Sequence, residues 1–259
     1  MPKTDEDGVE WLSEDELAQM KSCADEKTFD AFVESVGGYR IDSLHPNPDV
    51  LNADYVFPAD KVIIEMKTLE TAIHNSDQFQ AKMQVVHRQI YAKYKKSPVS
   101  LDPKVSFRYL MAFIELFRAP LARVVKKANR QIKSTKENLG YADYRGILLL
   151  INDNLRELPP RLMLGTLGRI LNGSYSSVRA MIYLTNHYIL IPGDEFGRIL
   201  WAPLYADAEG DGLVDFVNRL GAQWFDYCER IGQPSDDRQA GPDISIEGSC
   251  AAGAQFPIA

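Results

Sequence analysis

Phe29, Phe32, Val33 and Val36 recur at the spacing of one helical face and stop at Gly37-Gly38, which predicts a helix closed by glycine. Upstream, Ser13 followed three residues later by Glu16 predicts a short capped helix over 13–20. Residues 39–44 read as a strand. Two further strands, 53–57 and 62–66, flank Pro58-Ala59-Asp60-Lys61 and form a hairpin. Residues 70–96 read as mostly helical, with Phe79, Met83, Val86 and Ile90 along one side. The apolar stretch 105–117 fits helix and strand equally. Leu121, Val125, Ala128, Ile132 and Leu139 then make a helical stripe, with Arg123, Lys126, Lys127, Arg130 and Lys133 opposite it. The unbroken apolar run 146–152 (Gly-Ile-Leu-Leu-Leu-Ile-Asn) predicts a strand buried on both faces in a parallel pairing. A helix at 161–172, strands near 179–191 and 198–205, and a helix at 211–231 complete one α/β domain over 26–231. An acidic segment (1–25) precedes it, and a tail rich in Gly, Pro, Ser, Asp and Ala (232–259), read as flexible, follows.

Composition narrows the class. The chain has 259 residues, of which 45% are hydrophobic, enough for a sizeable core. Cys23, Cys228 and Cys250 lie far apart in sequence and form no metal-ligand spacing, so neither a zinc site nor a disulfide framework is expected. No apolar run is long enough to span a membrane, and Asp5, Glu6 and Asp7 do not read as a secretory leader. A cytoplasmic, reducing environment is the expectation.

The formal charge of -7 hides a polarised chain. Residues 81–137 hold 14 Lys/Arg against Asp102, Glu115 and Glu137, a local +11 that leaves -18 elsewhere. Such a face gathers anions whatever the total charge; the plainer alternative is a set of solvated helix faces.

The hairpin concentrates the chemistry. A loop centred between Ala59 and Asp60 sets Asp54 opposite Glu65 and Asn52 opposite Lys67. Alternation then projects Asp54, Glu65 and Lys67 from one face, the two carboxylates about 5 Å apart at Cβ. Like charges placed so are destabilising unless neutralised. Mg²⁺ or Mn²⁺ would resolve the conflict, with the Ile64 carbonyl as a further ligand. Lys67 beside a metal-bound water could orient or deprotonate it, or stabilise charge on a phosphate, which is equipment for hydrolysing a phosphodiester. The plainer reading is a surface hairpin bearing an ordinary ion pair.

Asp54, ten intervening residues and then Glu65-Met66-Lys67, preceded by a helix and a strand, resemble the PD-(D/E)xK superfamily of restriction-endonuclease-like nucleases. The resemblance implies a small mixed sheet flanked by helices, with a basic helical insertion about 70–138. It also implies metal-binding Asp54 and Glu65, with Lys67 as the catalytic lysine. An acid on the first helix often joins such a site; Glu34 is the positional match, at the edge of the apolar stripe, and its direction is open. Asp49, in Pro48-Asp49, rivals Asp54 but has the wrong parity for the shared face. Relatives sometimes carry a polar site residue on the helix after the Glu-x-Lys strand, which singles out Gln131.

Arg123, Lys126, Lys127, Arg130 and Lys133 are the candidate phosphate contacts, with DNA favoured over RNA. His45, His74, His87 and His187 share no metal-ligand spacing, and 164–169 lacks the Lys-Ser/Thr ending of a phosphate loop. Tyr91, Tyr94, Phe107 and Tyr109 could stack bases, but core packing suits them better. The sequence therefore points to a metal-dependent nuclease, possible as a homodimer or with a protein partner. The competing reading is a catalytically silent nucleic-acid-binding or assembly module of the same fold.

Overall fold

The computed structural model describes residues 3–4, 10–11, 13–46, 51–70, 76–95, 102–173, 175–194, 196–206, 211–233 and 245–254; Asp49 and His74 lie outside them. In chain order the elements begin with β1 (Lys3–Thr4), β2 (Glu10–Trp11), α1 (Glu14–Gln19), α2 (Glu26–Ser35), β3 (Tyr39–Arg40) and α3 (Ile41–Leu44). The hairpin β4 (Tyr55–Phe57) and β5 (Val62–Leu69) follows, then α4 (Asp77–Tyr94), α5 (Pro103–Asn138), β6 (Arg145–Asn152) and α6 (Pro160–Leu171). The last are β7 (Val178–Thr185), β8 (Ile189–Leu190), β9 (Trp201–Tyr205), α7 (Asp211–Arg230) and β10 (Cys250–Ala251). Six strands make one mixed sheet in the order β3-β4-β5-β6-β7-β9. β5, β6 and β7 run parallel, and the pairings β3–β4, β4–β5 and β7–β9 are antiparallel.

Both faces of that sheet are covered. On one, Val56, Ile63, Leu148, Leu150, Met181 and Tyr183 pack with α4, α5 and α6. On the other, Tyr55, Ile64, Ile147, Leu149 and Ile182 meet Phe29 and Phe32 of α2 and Trp224 of α7. The run 146–152 is thus a central parallel strand, as its composition predicts. Gly146 lets α5 lie against it, because a Cβ there would stand 2.1 Å from the Ser177 carbonyl oxygen and 2.5 Å from Ile132 Cγ2.

The ambiguous stretch 105–117 is helical. Asp102 caps it, Pro103 opens it, and Val105, Tyr109, Phe113 and Phe117 are buried at four-residue spacing in the 36-residue α5. The strand expected over 39–44 ends at Arg40. Ile41 N–H closes the pairing on the Asp54 carbonyl at 2.9 Å, and its buried side chain starts one helical turn.

Part of the tail read as flexible is built into the fold: β10 pairs antiparallel with β8. Arg156 Nη1 donates both to the Ala18 carbonyl at the end of α1 (2.6 Å) and to the Ala252 carbonyl (2.9 Å), while Arg161 pairs with Glu247. Two of the cysteines, far apart in sequence, meet in the fold. Cys23 and Cys228 are buried thiols, not joined in a disulfide, whose Sγ atoms lie 2.8 Å apart, since the fold sets the segment before α2 against the last turns of α7. No helix among the described residues is long and apolar enough to cross a membrane.

Candidate active site

The β4–β5 register pairs Tyr55 with Ile64, Val56 with Ile63 and Phe57 with Val62, so the next position outward sets Asp54 against Glu65. Lys61 takes a left-handed conformation (φ 52°) to close the turn, and its N–H reaches the Pro58 carbonyl at 3.3 Å. Asp54 stands one residue before β4, where its Oδ2 accepts the Met66 N–H at 2.7 Å. The carboxylate thereby takes the place of a missing backbone partner at the end of the ladder. Ile63 and Leu69 of β5 pack in the cluster with α4 and α5, so alternation turns Glu65 and Lys67 to that same side.

Glu65 is completely buried. Lys67 Nζ donates to its Oε1, the charge of Asp54 acts on it, and Oε2 has no partner. Burial, then the neighbouring Asp54 charge, push the Glu65 carboxyl up to about 8, against the opposing pull of Lys67. Burial raises Asp54 as well, resisted by the Met66 N–H and the Lys67 charge. The two acids behave as a pair that holds a proton near neutrality. The Lys67 side chain, 21% exposed, marks the side open to solvent, with Glu65 at the floor.

Helix α5 closes one flank. Gln131 Nε2 donates to the Asn52 carbonyl at 3.1 Å, and Thr135 Oγ1 accepts the Ala53 N–H at 2.7 Å. Asn52 Oδ1 and Gln131 Oε1 join Glu65 Oε2 as buried oxygens without a partner. Gln131 is therefore held to the segment that carries Asp54.

The other candidates divide. Glu34 is exposed in the last turn of α2; the acid of that helix whose charge reaches Asp54 is Glu26, at the opposite end. Asp30, between them, is taken up by Tyr55 OH (2.8 Å) and Arg40 (2.5 Å). The Ile64 backbone faces Tyr55 within the ladder, whereas Met66, on the same edge by alternation, lies past the end of β4. Met66 is thus a second backbone candidate, legible from the hairpin length. Arg123, Lys126, Lys127, Arg130 and Lys133 are all exposed on α5, and Lys133 meets Glu137 at 3.7 Å.

Among the described residues no three His, Cys, Asp or Glu side chains converge as a metal-holding group. The donor set at the hairpin is two carboxylates with neutral oxygens around them. That suits a hard cation such as Mg²⁺ or Mn²⁺, which keeps several waters and needs only one or two carboxylates, and it does not suit zinc. The partnerless Glu65 oxygen, beside a second carboxylate, is where such an ion would compensate a buried charge. Compared with family models, with curated protein sequences and with solved structures, the chain matches none.

Proposed function

We propose that this chain is a metal-dependent nuclease with a restriction-endonuclease-like core, hydrolysing phosphodiester bonds of DNA in preference to RNA. The observation that carries the reading is the placement of Asp54, Glu65 and Lys67 on one side of the β4–β5 hairpin, with a buried carboxylate oxygen left without a partner. The order α2, β3, β4, β5, α4–α5, β6 supports it, being the helix–strand–strand–strand–helix–strand succession that the motif implies.

Asp54 and Glu65 would hold Mg²⁺ or Mn²⁺, with the Met66 carbonyl, past the end of β4, and the Gln131 amide as candidate neutral ligands. When bound, the ion supplies Lewis-acid polarisation of the phosphate and an acidified water. Lys67 is the proton-bearing group at the open side. Its ammonium can orient the water's oxygen toward phosphorus and face the charge that develops on the phosphate as the ester oxygen leaves. Burial of Glu65 keeps bulk water from the floor of the site.

A second reading, a silent nucleic-acid-binding or assembly module, draws on one feature: Lys67 already neutralises Glu65 internally. Calorimetry separates the two, since a silent module binds no Mn²⁺ at the hairpin. The decisive experiment is cleavage of plasmid and linear DNA with Mg²⁺ or Mn²⁺ by the wild type, Asp54→Asn, Glu65→Gln and Lys67→Met. Losses of about 100-fold or more are expected from each variant; undiminished cutting by all three overturns the assigned roles.

A further inference from the structure

Helix α5 has two flanks. Gln131 and Thr135 reach toward Asn52 and Ala53 on the side of the acids. On the other side Asn129 Oδ1 accepts the N–H groups of Ser177 (2.9 Å) and Val178 (3.3 Å), and Tyr175 OH donates to the Ala122 carbonyl at 3.3 Å. These bonds fix the wall of a surface cleft of about 420 Å³ between α5 and α6. Arg118, Lys126 and Arg130 from α5 and Arg169 from α6 line it with Asn129 and Tyr175, and among the described residues no acidic side chain does.

Four cations converge on one concavity. Arg118 has a carboxylate near it, Glu115 at 3.6 Å, one turn back on its own helix and outside the cleft. Like charges gathered on a concave wall repel one another, and an anion relieves that repulsion while receiving directed N–H groups. Guanidinium groups, three of the four cations, match the geometry of phosphate oxygens. Asn129 spends its carbonyl oxygen on the wall, so its amide nitrogen remains a donor.

We infer that the cleft between α5 and α6 is a phosphate-binding site that grips the backbone of a nucleic-acid strand on the flank of α5 opposite the hairpin acids. The row from Arg118 to Lys133 runs about 22 Å along the helix, roughly six nucleotides of one strand. A polymer fits that row better than a single small phosphate does. The inference rests on the proposed nuclease for the identity of the polymer, and it gives that site a second point of hold away from the reacting bond.

The test reads binding without cleavage. Fluorescence anisotropy of 20-mer single and double strands, in EDTA and across salt, is measured for the wild type, Arg118→Ala/Arg169→Ala and Glu65→Gln. The double variant should bind about 10-fold more weakly, with the slope of log affinity against log salt reduced by one to two, while Glu65→Gln keeps the wild-type slope. An unchanged slope in the double variant overturns the inference. So does thermal stabilisation by inorganic phosphate or a 5′-mononucleotide that depends on Arg169 while strand binding does not. Because EDTA is present, a protein that binds strands through the cleft but never cuts them with Mg²⁺ refutes the nuclease and leaves the cleft assignment standing.

Discussion

Asp54 and Glu65 face each other across the open end of one hairpin, yet the sheet treats them differently. Asp54 is satisfied by a backbone N–H, whereas Glu65 keeps one buried oxygen without a partner. Glu65, held at about 8 against 4.5 in the unfolded chain, carries a proton in the folded state that the unfolded state has already released. Between those values the contribution of this carboxyl to the stability of the metal-free protein falls as pH rises. Thermal melts from pH 6.5 to 8.5, above the range in which His187 titrates, should show a falling Tm that Glu65→Gln flattens; parallel curves for the two proteins would refute the cause. Added Mn²⁺ should raise Tm more at pH 8 than at pH 6, because the ion displaces that proton.

His187 titrates in the opposite sense. It is buried with its Nδ1 unpartnered, and burial and the nearby Arg156 charge depress it to about 4 from 6.5, against the opposing pull of the Asn152 and Asp153 backbone. The unfolded chain takes up a proton first, so stability present above 6.5 is lost as pH falls toward 4. His187→Gln should weaken this acid arm and leave the alkaline arm intact. The two windows offset each other between about 4.5 and 6.5, so these groups leave the metal-free protein level there and less stable on either side.

Gly146→Ala should cost about 3 kcal/mol, at the severe end of overpacking, because the added methyl meets Ser177 backbone and Ile132 together. A lower urea midpoint with an unchanged slope is the expected signature. A variant as stable as the wild type would mean that α5 does not press on β6 as described.

Cys23 and Cys228 should form a disulfide when the protein is incubated with oxidised glutathione. Two thiols lose their hydrogens to the reagent, which leaves as two molecules of reduced glutathione. Thiol titration of the unfolded protein should fall from three to one, with Cys250 remaining, and Cys23→Ser should prevent the change. The bridge closes a 205-residue separation and should raise stability by about 4–5 kcal/mol. Three titratable thiols after oxidation would refute the pairing.

How far the sequence could be read depended on the range of the interaction. The hairpin register followed from alternation and a short turn, both local, and so did the common side of Asp54, Glu65 and Lys67. The 105–117 stretch resisted because an apolar run that dense satisfies both periods; burial in the cluster with α4 decided it. Residues 39–44 failed where a long-range bond, Ile41 to Asp54, ended the strand early. The contact of Cys23 with Cys228 and the meeting of Arg169 with Arg118 join segments that no local pattern relates. Glu34 lay on the right helix, but at the end far from Asp54.

Arg156 clasps carbonyls from both the α1 segment and the stretch that holds β10, so one guanidinium buttons two distant parts of the chain to the body of the protein. Those parts should therefore come loose together, in a single cooperative opening rather than by independent fraying. Limited proteolysis of Arg156→Ala would then nick both regions at matched rates while the six-stranded sheet stays protected.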